Sequence, residues 1–184
     1  LDGVVELYGS FKDRGGTLIL MHPVRAFILA AIVQDLPYLM SARTISPARV
    51  LMIPAPVAHR LLREDAAFND AMMRALAEEF RRVLKALKSH KLRDGTERIA
   101  AYLLELRHNS ADADVVTLPA DRKTIATYLG MTRENLSRSL QTVREHGAAV
   151  RGNEVRFRDV EKLRALARPS RLIDDLDPDP DPQP

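Results

Sequence analysis

One stretch constrains this chain more than any other: residues 121–146, DRKTIATYLGMTRENLSRSLQTVREH. Its punctuation specifies two short helices joined by a tight turn. Asp121 can cap the free amides of a first helix that runs to about residue 129, with Arg122 and Lys123 facing water. Gly130 stops that helix, because glycine enters the left-handed region at no steric cost. Thr132 caps a second helix that continues to about residue 145, and Gly147 ends it. Ile125, Leu129, Leu136, Leu140 and Val143 are spaced so that the two helices can cross and share one core, and Ala126 is small where they must come close.

That arrangement leaves Arg133, Glu134, Ser137 and Arg138 on the outer face of the second helix. Two readings are open at this point. Glu134 and Arg138, four apart, make a surface ion pair that supports an exposed helix by ~0.3–0.5 kcal/mol. Alternatively, the face reads bases in a major groove. Arginine can donate twice to guanine O6 and N7, and glutamate can accept from the cytosine amino group.

The residues after this helix favour base reading. Residues 148–151 and 154–157 are short strand signals around Gly152-Asn153, a tight hairpin. A hairpin after a helix-turn-helix is a wing. A helix over residues 160–168 closes the domain, and a strand over residues 115–118 precedes it. Upstream, residues 96–108 form an amphipathic helix with Ile99, Leu103 and Leu106 inward.

The longest regular element spans residues 66–92, ~27 residues and roughly 40 Å at 1.5 Å per residue. Met73, Leu76, Phe80, Val83 and Leu87 fall at alternating spacings of three and four, the seam that a two-helix coiled coil buries. Phe68, Met72 and Leu84 offer a second stripe for the helix's own domain. His90 ends the seam beside Lys88 and Lys91 and reads as a helix-end residue.

Before that helix the chain is strand-like. Residues 4–8 and 17–21 flank a turn expected at residues 13–16, and residues 39–45 and 49–53 are further strand signals. Residues 27–33 form an apolar run that periodicity leaves unassigned. Four or five short strands make part of a roll, too few to close a barrel alone. A short helix is expected over residues 57–63.

The formal charge is +3, but residues 174–184 carry five aspartates and no base, so the rest of the chain sums to +8. A basic body suits a polyanion. The tail has nothing to bury and is expected to be disordered. Zero cysteines exclude disulfides and thiolate metal sites within these residues. No run approaches a membrane span and nothing resembles a signal peptide, so the expected compartment is the cytoplasm. The first residue is Leu rather than Met and the chain opens directly on a strand-like run, so a preceding segment is expected. No phosphate-binding glycine loop, carboxylate cluster or Ser/His/Asp spacing supports an enzyme.

A partial roll, a long seam helix and a winged helix, with TLPADRKTIATYLGMTRENLSRSLQTVREHGA over residues 117–148, resemble the Crp/Fnr superfamily of bacterial transcription regulators. In that family R-E-x-x-x-R or E-x-x-S-R opens the recognition helix, and residues 132–138, TRENLSR, satisfy both. The resemblance implies an α+β fold: the C-terminal part of a cyclic-nucleotide-binding-type β-roll over residues 1–63, a dimerisation helix over 64–94, a winged-helix DNA-binding domain over 95–170 and a disordered acidic tail over 171–184. It implies a homodimer whose recognition helix, residues 132–146, binds double-stranded DNA at a palindromic TTGA-like site. Glu134, Ser137 and Arg138 would read bases, Arg133 a base or phosphate, and Arg122, Lys123 and Thr132 complete the DNA-binding set. RNA polymerase is the further expected partner.

The departures from the family also carry expectations. Members that bind cyclic AMP keep a Gly-Glu-Leu motif and an Arg-Ser pair; the matching places here are Ile28-Leu29-Ala30 and Tyr38-Leu39. Burying a cyclic nucleotide's charge without those partners is costly, so no cyclic AMP is expected. The cysteines that hold an iron–sulfur cluster in the oxygen-sensing branch are absent from this sequence. Haem, as in the nitric-oxide- and carbon-monoxide-sensing branches, is the alternative cofactor, with His22 the candidate axial ligand. A protein-interaction module without DNA specificity is the alternative of a different class.

Overall fold

The structure, a computed structural model, describes residues 3–23, 25–110 and 114–174. The chain divides into two compact units, Leu1–Val83 and Leu84–Pro184.

In the first unit, β1 (Val5–Phe11) and β2 (Arg14–Met21) form an antiparallel hairpin, and β3 (Ser41–Thr44) pairs with the other edge of β1, giving the order β2-β1-β3. The hairpin turn is Lys12-Asp13 rather than residues 13–16. Phe11 pairs with Arg14, while Gly15 and Gly16 stay in the ladder opposite Ser10 and Gly9. Lys12 takes the positive φ, +53°, that a two-residue hairpin turn requires at its first position. Core pairing sets this register: Val5, Leu7 and Met21 form one buried cluster with Ile19, Phe27 and Met40 against it. On the other face Glu6, only 2 % exposed, accepts from the Thr17 hydroxyl and from Arg43 Nε, both at 2.6 Å.

The unassigned apolar run resolves into a short helix, α1 (Leu29–Gln34), entered and left through residues with positive φ, Ile28 and Asp35. Residues 49–53, expected as a strand, join no ladder among the described residues, and Val50, Leu51, Met52 and Ile53 are exposed. An apolar run with β-branched residues favours a strand, but a strand also needs an edge to pair with. Helix α2 (Ala55–Glu64) starts at Pro54, with Pro56 in its first turn, and His59 Nε2 lies 2.7 Å from the Ile32 carbonyl of α1.

Helix α3 (Ala66–Leu92) has the expected bounds, and none of its residues is buried in the single chain. Along the seam Met73 is 60 % and Phe80 64 % exposed, Val83 and Leu87 are also exposed, and Leu76 is half-buried. Of the second stripe Phe68 and Met72 are half-buried, while Leu84 is exposed.

In the second unit α4 (Gly95–His108) begins with a capping box: the Asp94 carboxylate accepts from Thr96 and Glu97, and Glu97 reaches back to the Asp94 amide. Then come β4 (Val115–Thr117), α5 (Arg122–Tyr128), α6 (Arg133–Glu145), β5 (Ala148–Arg151), β6 (Glu154–Phe157) and α7 (Val160–Ala167). The sheet order is β4-β6-β5. Ile99 and Leu103 of α4, Ile125, Val143, Val155 and Leu163 form the centre of the core, with α4 packed on both α6 and α7. Gly152 turns the β5–β6 hairpin at φ +57°. These elements are a partial β-roll, a long helix and a C-terminal winged helix-turn-helix.

The expected disordered tail starts too early. Residues 171–173 form a turn and Asp174 is bound by Arg93 at 2.6 Å. A run of aspartates cannot fold on itself, but its first member meets a buried cation that needs a carboxylate. Residues 175–184 lie outside the described residues.

Candidate nucleic-acid interface

The helix-turn-helix is built by caps at both ends of its turn. Asp121 Oδ1 accepts from the Thr124 amide at 2.7 Å and starts α5; that bond, above all, holds its carboxyl below the usual range. At the far end the Gly130 amide donates to Thr127 O (3.0 Å) and the Met131 amide to Ala126 O (2.8 Å), the paired bonds of a Schellman motif. Gly130 takes φ +63°. Two residues later Thr132 Oγ1 accepts from the Asn135 amide at 3.2 Å and starts α6.

Two side chains brace the turn from behind. Arg98 Nε donates to Leu129 O at 2.9 Å and its Nη1 to Arg93 O at 2.6 Å. The His90 ring lies against Gly130: a Cβ there would sit 2.8 Å from ring atoms Cε1 and Nδ1. Burial, and secondarily the Arg98 charge, lower the His90 pKa against a raising bond to the Tyr128 backbone. The sequence offered no local signal for either brace, because both partners lie more than thirty residues away.

Helix α6 is sharply two-sided. Leu136, Ser139 and Val143 are buried, Leu140 is half-buried, and Ser139 Oγ accepts from Thr96 Oγ1 at 3.1 Å. Thr132, Arg133, Glu134, Ser137 and Arg138 are exposed, as expected. Arg122 and Lys123 are exposed at the start of α5, and together with Arg133 and Ser137 they border an open depression of about 310 Å³ floored by Leu136 and Leu140. The structure therefore brings Arg122 and Lys123 of α5 beside Arg133 and Ser137 of α6, while Thr132, Glu134 and Arg138 do not line the depression. Glu134 is held below the usual carboxylate range, first by its own backbone amide and the Thr132 hydroxyl, then by the charges of Arg133 and Arg138. It is an anion at neutral pH. Arg138 Nη2 donates to Asn135 Oδ1 rather than to Glu134. Sequence reasoning missed Asn135 as a partner, and it missed the exposed wing arginines Arg151 and Arg156, the latter 2.6 Å from Glu154.

The roll offers less. His22 is exposed at the end of β2, while its neighbour Met21 enters the apolar cluster. No group of three or more His, Cys, Asp or Glu among the described residues could hold a metal. Leu29 is buried at the start of α1, Tyr38 is exposed, and Leu39 is 92 % exposed. No helix among the described residues is long and apolar enough to cross a membrane.

A Crp-like helix-turn-helix domain matches residues 97–166. The nitrogen fixation regulation protein FixK of Bradyrhizobium diazoefficiens is 32% identical over 105 residues, covering 52% of this chain and 44% of that protein. The chain spans about half the length of the curated relatives it matches. Among solved structures, FixK2 from Bradyrhizobium japonicum superposes with a TM-score of 0.76 at 23% identity, covering 90% of this chain and 83% of that one. A candidate cAMP-binding regulatory protein from Silicibacter pomeroyi DSS-3 is 30% identical with a TM-score of 0.63, covering 91% and 75%. With the winged helix, the seam helix and the partial roll all present in family order, the chain belongs to the Crp/Fnr superfamily.

Proposed function

We propose that this chain is a homodimeric, sequence-specific transcription regulator that binds double-stranded DNA through α6, at a near-palindrome of TTGA-like half-sites. The observation that carries this reading is the outer face of α6. Arg133, Glu134, Ser137 and Arg138 are all exposed in its first two turns, and Arg133 and Ser137 share a depression with Arg122 and Lys123. The mixture of charges matters. A purely basic face would suit any polyanion, whereas an ionised Glu134 is repelled by phosphates and is tolerated where a cytosine amino group meets it. The exposed seam on α3 supports pairing with a second copy. RNA polymerase is the further partner in this reading, and no enzymatic activity is assigned.

The roll is proposed as an effector domain that takes no cyclic nucleotide, since Leu29, Tyr38 and Leu39 offer neither a cation for phosphate nor a carboxylate for ribose. Haem on His22 is the alternative effector; the exposed position of that ring does not favour it, and a Soret band in the absorption spectrum tests it directly.

A gel shift over a salt series tests the central proposal. Specific binding retains a ratio of about 10³ or more over random duplex at physiological salt. A protein-interaction module would show no such ratio, and its appearance in neither low nor high salt would overturn the reading.

A further inference from the structure

Arg93 stands at the joint between α3 and α4 and is only 6 % exposed, although it is permanently charged. A buried guanidinium must find an anion. It finds one at the far end of the chain: Nη1 and Nη2 each donate to one oxygen of Asp174, both at 2.6 Å, and Nη2 also donates to Arg168 O at 3.0 Å. Asp174 is fixed in turn by the Ser170 amide at 2.7 Å. Lys85 donates to Asp174 O (3.0 Å) and Lys88 to Leu172 O (3.2 Å). Residues 169–174 therefore form a strap across the C-terminal turns of α3. Beyond the joint, Arg93 O accepts from Arg98, and Arg98 donates to Leu129 O at the helix-turn-helix turn. One series of charge-assisted bonds joins the strap, the joint and the turn.

We propose that residues 169–174 are a latch that sets the orientation of the helix-turn-helix on the C-terminal end of α3, with Arg93 and Asp174 as positioning residues for DNA spacing. This rests on the dimeric DNA-binding reading above. A bidentate ion pair suits the task because it is directional. Replacing a buried pair by apolar groups of similar size is often neutral in stability, so geometry rather than net stability is what such a pair supplies here. The geometry is sensitive: a tilt at the joint is carried to α6 as a displacement along the groove, where one base-pair step is only about 3.4 Å. Leu87, the last apolar residue of the seam, lies in the final turns of α3 ahead of the joint, so orientation fixed there is transmitted directly to the distance between two recognition helices.

The test uses the full chain and the palindrome it selects from a random-sequence duplex pool, with the spacer shortened or lengthened by one base pair. Two variants are compared, Asp174→Asn and the double Arg93→Met/Asp174→Leu, the second keeping the buried volume filled. Wild type should prefer one spacer by about tenfold or more, and both variants should bind the three spacers within about threefold while still rejecting altered half-site bases. Loss of stability alone would weaken every duplex equally and leave the spacer ratio unmoved. A wild-type spacer ratio in both variants overturns the latch. So does a wild type that reads half-site bases yet accepts all three spacers, and this leaves the DNA-binding reading intact. A wild type that does not distinguish its selected palindrome from random duplex overturns both.

Discussion

Arg138 donates a guanidinium hydrogen bond to Asn135 Oδ1, three residues earlier on the exposed face of α6. The two side chains are neighbours on the helix surface, so the amide orients the guanidinium plane before any base arrives. Asn135→Ala should weaken binding to the selected sequence by about three- to tenfold, the equivalent of one ordinary hydrogen bond. Binding to random duplex should not change. Parallel titrations of the two duplexes check this, and an equal loss on both would mean that Asn135 only supports the helix.

Glu134 and Lys123 should fail in opposite ways. Glu134→Ala is expected to relax discrimination at one G·C pair per half-site, while random DNA binds equally well or better because a carboxylate has left the phosphate field. Arg138→Ala should lose ~1–3 kcal/mol per half-site on the selected sequence. Lys123→Ala should weaken all sequences alike and flatten the log–log salt slope by about one per subunit. Were Glu134→Ala to weaken specific and random DNA by the same factor, this face would not be reading bases.

The helix-turn-helix was legible because its rules are local. Asp121, Gly130, Thr132 and Gly147 each act within one turn of themselves, and every one holds the position its residue type suggested. Elements decided by distant partners were not legible. Gly15-Gly16 is the better turn dipeptide, yet Lys12-Asp13 turns, because burying Val5, Leu7 and Met21 together fixes the pairing of the strands. Residues 49–53 have a strand's composition, and composition cannot supply a ladder partner. Asp174 looked like the first residue of an acidic tail, and only the folded chain brings it to Arg93. At the interface itself the side chains were legible by type and spacing, while the Asn135–Arg138 bond and the His90 and Arg98 braces needed rotamers and tertiary contacts.

The seam on α3 predicts a dimer. Phe80 and Val83 are exposed in the single chain and lie on the stripe that a second copy would cover. Phe80→Glu combined with Val83→Glu would place like charges against each other across a two-fold interface. Sedimentation should then show a monomer at micromolar concentration where the unmodified chain is dimeric. A double variant that still sediments as a dimer would move the interface elsewhere.

Cyclic AMP should not bind. Leu29 is a buried apolar residue, and Tyr38 and Leu39 carry no charge, where a phosphate and a ribose would need charged partners. Isothermal titration of the full chain should show no saturable heat, and saturable micromolar binding would contradict the proposal.

Gly130 has two independent reasons to be glycine, and they can be separated. The first is its φ of +63°, which strains any residue with a side chain. The second is the His90 ring, which a Cβ would approach to 2.8 Å. Gly130→Ala should therefore destabilise by about 1–3 kcal/mol from backbone strain, with the ring contact added. His90→Ala removes that contact but also the ring's bond to the Tyr128 backbone, so alone it is mildly destabilising. If the ring contact is a real part of the cost, the double variant should lose less than the sum of the two single losses, with a coupling of about 0.5 kcal/mol or more. Urea denaturation of the four proteins measures it. Strict additivity would leave backbone strain as the whole reason for glycine, and His90 would then be a neighbour of the turn rather than a brace against it.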